Sequence, residues 1–168
     1  FTISTFAQTD SKIYDIIKAV SAKRIKANVK TLTEFGTRNT FSDTISTTQG
    51  IGAARRWVKS EFDVISKACD NCMEVFYQKD FVTKKENRRV PHDAWIVNVV
   101  AVQKGTRYPN KYVIMSGDID SRASDTMDFT TDAPGANDNA SGMAGTIEAA
   151  RVLSKYKFES SIIYVGLS

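Results

Sequence analysis

Lys111-Tyr112-Val113-Ile114-Met115-Ser116 is a short apolar run that stops at Gly117-Asp118-Ile119-Asp120-Ser121. An apolar stretch of this length, closed by glycine and acid, predicts a strand covered on both faces with charge at its carboxyl end. Upstream, Ala94-Trp95-Ile96-Val97-Asn98-Val99-Val100-Ala101-Val102 predicts another such strand, and residues 160–167 a third. A polar segment over 117–137, rich in Asp, Ser and Thr, follows the acidic end. Residues 140–156 then carry Met143, Ile147 and Ala150 at helical spacing. Strand, long loop, helix and strand is the order of a layered α/β domain. Long loops inside compact domains are usually functional.

Toward the amino terminus, Met73, Val75 and Tyr77 alternate with polar residues up to Val82, the pattern of a half-buried strand. Ile51, Ala54, Val58, Phe62 and Ile65 mark one face of a helix over 48–67, with Trp57 beside it as core. Ile13, Ile16, Ile17, Val20, Ile25, Val29 and Leu32 predict helix over 11–35 in one or two pieces, with Asp10 or Ser11 as N-cap. Residues 36–48 and 84–91 are loops by composition. Without repeats or an interior linker, residues 10–168 form part of a single domain. Residues 1–9 read as a signal-peptide remnant or a ragged terminus.

Composition narrows the function. With 42% hydrophobic and 25% charged residues, the chain is not wholly disordered. No run approaches the roughly 18 apolar residues of a membrane-spanning helix, so no membrane partner is expected. The net charge of +4 is spread over separate segments (Lys23 to Lys30, Arg55 to Lys59, Lys84 to Arg89) with no nucleic-acid reader motif, so no nucleic acid is expected either. Cys69 and Cys72 precede a strand rather than open a helix, unlike a redox pair, and no second pair completes a structural zinc site. In an oxidising compartment they form a local disulfide; elsewhere they are two free thiols.

The chemistry lies in Asp118, Asp120 and Asp138. The first two stand at the carboxyl end of a strand, where ligands bind in α/β sheets; Asp138 stands just before a helix, whose N-terminus favours negative charge. Three carboxylates sharing a cleft repel one another unless protonated, hydrogen-bonded or neutralised by a cation. A divalent metal suits hard oxygen donors. The competing reading is that Asp138 only caps the helix and the others decorate a loop; residue physics alone leaves both open.

The run Ala133-Pro134-Gly135-Ala136-Asn137-Asp138-Asn139-Ala140-Ser141-Gly142-Met143-Ala144 resembles the signature of the co-catalytic di-zinc aminopeptidases of the bacterial leucyl aminopeptidase type. Asn98 to Ala101, the triplet at 118–120, Phe35-Gly36-Thr37-Arg38 and the segment 53–58 support it, so the similarity covers most of 25–168. The resemblance implies a three-layer αβα sandwich with a mixed, mostly parallel sheet. It implies two zinc ions bridged by Asp138, with Asp120 orienting rather than binding metal. One position departs: the family triplet is His-x-Asp, and Asp118 stands where the His belongs. Asp118 can still ligate metal through oxygen and shifts preference toward harder ions such as manganese. His92, the single histidine, reads as a surface residue.

The implied activity is release of N-terminal residues from peptides by a secreted or periplasmic enzyme. The general-base Glu and the remaining ligands that the family places later are not in these residues, so the chain by itself is expected to be inert and to bind metal weakly or not at all. Two alternatives stand beside this: a non-catalytic relative serving as a binding or structural module, and an aminoacyl transferase of the glutaminyl-cyclase kind. A sheet ending on an unpaired edge is expected to favour self-association.

Overall fold

The computed structural model describes residues 10–85 and 88–168; the expected signal-peptide remnant over 1–9 lies outside them. The elements run α1 (Ser11–Ala19), α2 (Ala22–Thr33), α3 (Gly50–Ala68), β1 (Met73–Val82), β2 (Ala94–Gln103), β3 (Tyr108–Asp118), α4 (Ser141–Leu153) and β4 (Ser160–Leu167). A π-type turn, Ala136–Ala140, precedes α4. The helical pattern over 11–35 divides at Ser21, whose hydroxyl accepts the Arg24 N–H and caps α2, as the Asp10 carboxylate caps α1 through Lys12. Cys69 and Cys72 are joined in a disulfide across the turn from α3 to β1.

The strands form one sheet in the order β1-β2-β4-β3. β1 with β2 and β2 with β4 are antiparallel, and only β3 with β4 is parallel. The sheet is therefore mixed but not mostly parallel as expected: β1 returns directly into β2, and the one parallel pair is the one crossed by α4. Met73, Val99, Ala101, Ile162 and Tyr164 from the sheet meet Ile51, Ala54, Val58 and Phe62 of α3 and Met143, Ile147 and Ala150 of α4 in one core. Each such side chain contributes about 1.5–3 kcal/mol when fully buried. These helices lie on one face of the sheet; the second helical layer of the expected sandwich is not among the described residues.

β3 departs from its sequence reading. Tyr112, Val113 and Ile114 are 55%, 56% and 65% exposed, although their apolar run predicts cover on both faces. Among the described residues the strand is bonded to β4 alone, and an apolar pattern encodes a strand without encoding its neighbours. At its carboxyl end the cover is tight: a Cβ on Gly117 would collide with the backbone of Gly142 and Met143. Glycine there lets the first turn of α4 lie directly on β3.

A buried carboxylate fixes the outer side of α4. Glu148, 2% exposed, accepts from Arg151 Nη2 at 2.6 Å and Nε at 2.8 Å, and from the backbone N–H of Ser21 at 2.7 Å. Burial pushes its pKa up, but the Arg151 and Ser21 hydrogen bonds outweigh that and hold it below the usual value. Replacing Glu148 by Ala is expected to cost about 3 kcal/mol in urea unfolding, because it strands Arg151. A lowered folded pKa stabilises above the unfolded pKa and is lost as pH falls through the folded one. The gap between wild type and variant should therefore narrow below the usual carboxylate range.

Candidate metal centre

The loops carrying the three aspartates are organised by a residue of the opposite charge. Arg38 is fully buried. Its Nε donates to the Ile119 carbonyl at 2.8 Å, Nη1 to the carbonyls of Leu32 at 2.9 Å and Pro134 at 2.6 Å, and Nη2 to that of Gly135 at 3.2 Å. Its own backbone is paired with Ser121: the Arg38 N–H donates to the Ser121 hydroxyl, and the Ser121 N–H to the Arg38 carbonyl. The Ser121 hydroxyl in turn donates to the Ala133 carbonyl. One guanidinium thus binds the end of α2, the turn after β3 and the loop before α4. Burial lowers its pKa to about 10, opposed by Asp120, so it stays charged at neutral pH.

This frame sets the acids. β3 runs two residues beyond the strand read from sequence and ends on Asp118 itself. Asp120 follows the clamped Ile119 and is half-buried, with the Thr40 hydroxyl donating toward its Oδ2 at 3.5 Å. Asp138 sits in extended backbone (φ −115°, ψ 96°) within the π-type turn. Gly135 makes the turn into it at φ +48°, where a Cβ would press on the Asp138 carbonyl and the Ser121 side chain. The Asp120 carboxyl is pushed above the usual value, chiefly by burial and then by the charge of Asp118, with Asp138 adding to it against Thr40 and Arg38. Asp118 and Asp138 thus both act on Asp120 at this sheet edge. Among the described residues, however, no three or more His, Cys, Asp or Glu side chains are gathered closely enough to hold a metal ion by themselves.

The capping reading of Asp138 is not what the structure shows. Asn139 does that work: its Oδ1 accepts the Gly142 N–H at 2.7 Å, while its Nδ2 donates toward Asp118 Oδ2 at 3.4 Å. It therefore links the helix start to the strand end and leaves Asp138, which is exposed, free of the cap. The sequence reading missed Asn139, Thr40, Ser121 and the clamp role of Arg38. The only signal for Arg38 was its place in Phe35-Gly36-Thr37-Arg38. His92 stands apart from the acids, exposed and edge-on to the rings of Phe41 and Phe129.

Comparison with known proteins decides the family. Residues 98–168 match the model of peptidase family M28. This stretch belongs to that family. The M28 stretch contains all three aspartates, the clamped turn and α4. A probable zinc metalloprotease of Leptosphaeria maculans is 39% identical over 159 residues, covering 95% of this chain and 36% of that protein. The chain spans about a third of the length of the curated relatives it matches. An aminopeptidase of Legionella pneumophila superposes with a TM-score of 0.67 at 18% identity, covering 99% of this chain and 39% of that one. A glutaminyl cyclase of Fimbriiglobus ruber does so with 0.64 at 20%, over 87% and 44%. At such identities the likeness shows the fold: an α/β domain with a mixed sheet.

The clamp yields a test. Arg38→Met keeps much of the side-chain volume but removes a donor from four carbonyls; those of Leu32 and Gly135 keep a backbone N–H, while those of Ile119 and Pro134 lose their partner, at about 1–3 kcal/mol for each buried acceptor left unpaired. We expect a loss of roughly 3–5 kcal/mol in chemical denaturation. Hydrogen exchange should rise at Ser121 and Ala140, whose backbone N–H groups bond within the clamped loops.

Proposed function

We propose that this chain carries the Asp118 and Asp138 portion of a zinc site in a secreted aminopeptidase. One observation supports it above others: burial and two neighbouring carboxylates push Asp120 upward at the carboxyl end of β3, a negative charge that a cation would offset. The donor chemistry fits a divalent ion, since carboxylate oxygens ligate zinc and harder metals alike. Asp118 and Asp138 would be the ligands, with manganese or another divalent ion an alternative to zinc. When bound, the metal would acidify a water and polarise the scissile carbonyl.

The chain's own residues do the rest of what is assigned here. Asn139 steadies Asp118 from the start of α4, and the 3.5 Å contact from Thr40 orients Asp120. Arg38 keeps the turns after β3 and before α4 in register. The family resemblance places the general-base Glu later in the chain, so these residues are expected to offer none. Peptide is the expected substrate. Release of N-terminal residues is supported by the likeness of the run 133–144 to the aminopeptidase signature. Export is supported by the Cys69–Cys72 disulfide, a bond that persists in oxidising compartments.

Two measurements test this reading. Titration of the purified chain with zinc should show weak binding and a rise in Tm that Asp138→Asn abolishes; ten times Kd of ligand is worth about 1.4 kcal/mol. The rise should fade on acidification as the carboxylates protonate. Because its pKa is raised, Asp120 takes up its proton at a higher pH than an ordinary aspartate. A Tm rise that survives Asp138→Asn would remove the ligand assignment. Separately, an aminoacyl p-nitroanilide should not be turned over by the 168 residues alone; metal-dependent turnover would show that a base is present after all.

A further inference from the structure

The chain holds four pairs of adjacent basic residues: Lys23-Arg24, Arg55-Arg56, Lys84-Lys85 and Arg88-Arg89. Such a pair is what a protease with two neighbouring acidic pockets reads, because two cationic side chains enter two anionic pockets together. The protease also needs accessible backbone that can be drawn out straight, so the fold decides which pairs can be cut. Lys23 and Arg24 lie in α2, and Arg24 faces the buried Glu148 at 3.6 Å. Arg55 and Arg56 lie in α3, where Arg55 is 4% exposed and Arg56 is held by the carbonyls of Thr44 and Ser46. Neither helix can be straightened without breaking its own hydrogen bonds and its packing.

The other two pairs lie between β1 and β2, and all four of their residues are exposed. Lys84 stands at the foot of this connection. Its N–H donates to Asp93 Oδ1 at 2.8 Å, just beyond the last strand pair, Val82 with Ala94. Arg88 and Arg89 lie farther out, and residues 88–93 are neither helix nor strand. The bond from Arg89 to Val90 is therefore the dibasic bond that the fold leaves open.

This bond can break without loss of the fold, because three sets of contacts cross it. β1 and β2 pair in register from Met73 with Gln103 to Val82 with Ala94. Arg38, on the amino-terminal side, donates to the carbonyls of Ile119, Pro134 and Gly135 on the other. The Ser21 N–H reaches Glu148. The Cys69–Cys72 disulfide lies wholly on the amino-terminal side, so the two pieces would be held by non-covalent contacts alone. Arg89 also lines a cleft of about 370 Å³ with Thr40, Asp120 and Arg122. A cut after it adds a carboxylate to the wall of that cleft, beside the candidate metal centre.

We propose that the Arg89–Val90 peptide bond is a processing site for a dibasic-specific endoprotease, and that cutting it yields a two-chain form that keeps the fold. Water adds across the bond. Its hydroxyl joins the Arg89 carbonyl carbon to give a new carboxylate, and its proton goes to the Val90 nitrogen, a new amino terminus. The proposal does not rest on the peptidase reading, since here the chain is the substrate.

The test is to incubate the native 168-residue chain with a purified subtilisin-type dibasic endoprotease and to follow intact mass and N-terminal sequence. The first new amino terminus should be Val90. The two pieces should separate in denaturant, yet co-elute in native gel filtration with the far-UV spectrum of the uncut chain. Arg89→Gln should slow the cut at least about tenfold, since one of the two pockets is left without its cation. Arg56→Gln should leave its rate unchanged. A synthetic peptide of residues 19–28, which carries Lys23-Arg24 outside its helix, should be cut; if it is not, the protection assigned to the fold is wrong. No cut, a first cut after Arg24, Arg56 or Lys85, pieces that part under native conditions, or an unchanged rate in Arg89→Gln would overturn the processing site.

Discussion

A single buried guanidinium holds this structure in order. Arg38 gives its donors to carbonyls at Leu32, Ile119, Pro134 and Gly135, groups up to about a hundred residues apart in the chain. The Leu32 and Gly135 carbonyls also accept a backbone N–H, but those of Ile119 and Pro134 would be unsatisfied without Arg38. Hydrophobic burial brings α2, α3, α4 and the sheet together, but it is indifferent to the rotation of a loop. Directional hydrogen bonds to a fixed planar fork are not, and they set where Asp120 and Asp138 emerge.

The same frame explains how three acids come to share one edge at all. A Cβ-free residue at Gly117 brings α4 down onto β3, and Asn139 ties the first turn of α4 to Asp118. Burial first, and then the charges of Asp118 and Asp138, raise the pKa of Asp120, against Thr40 and Arg38.

Cations are present nearby, yet they do not quench the acids. Arg38 gives its donors to carbonyls and Arg55 gives its Nε to Ser168, so each meets Asp120 only through space. Two arginines thus border the acidic edge without a hydrogen bond to Asp120.

Much of this was legible in the residues themselves. The periodicities of 48–67, 73–82, 94–102 and 160–167 correspond to α3, β1, β2 and β4, because amphipathic spacing is a local property of the chain. The acidic residues at 118, 120 and 138 stood out for the same reason, by type and by their place at element ends. Pairing was not local. The antiparallel majority of the sheet, the edge position of β3 and its exposed Val113 and Ile114 depend on which strand lies alongside. So do the cap made by Asn139 rather than Asp138 and the clamp at Arg38. Sequence specifies which groups need partners; only the folded chain, by bringing distant backbone and side-chain atoms within hydrogen-bond reach, decides which of them find one.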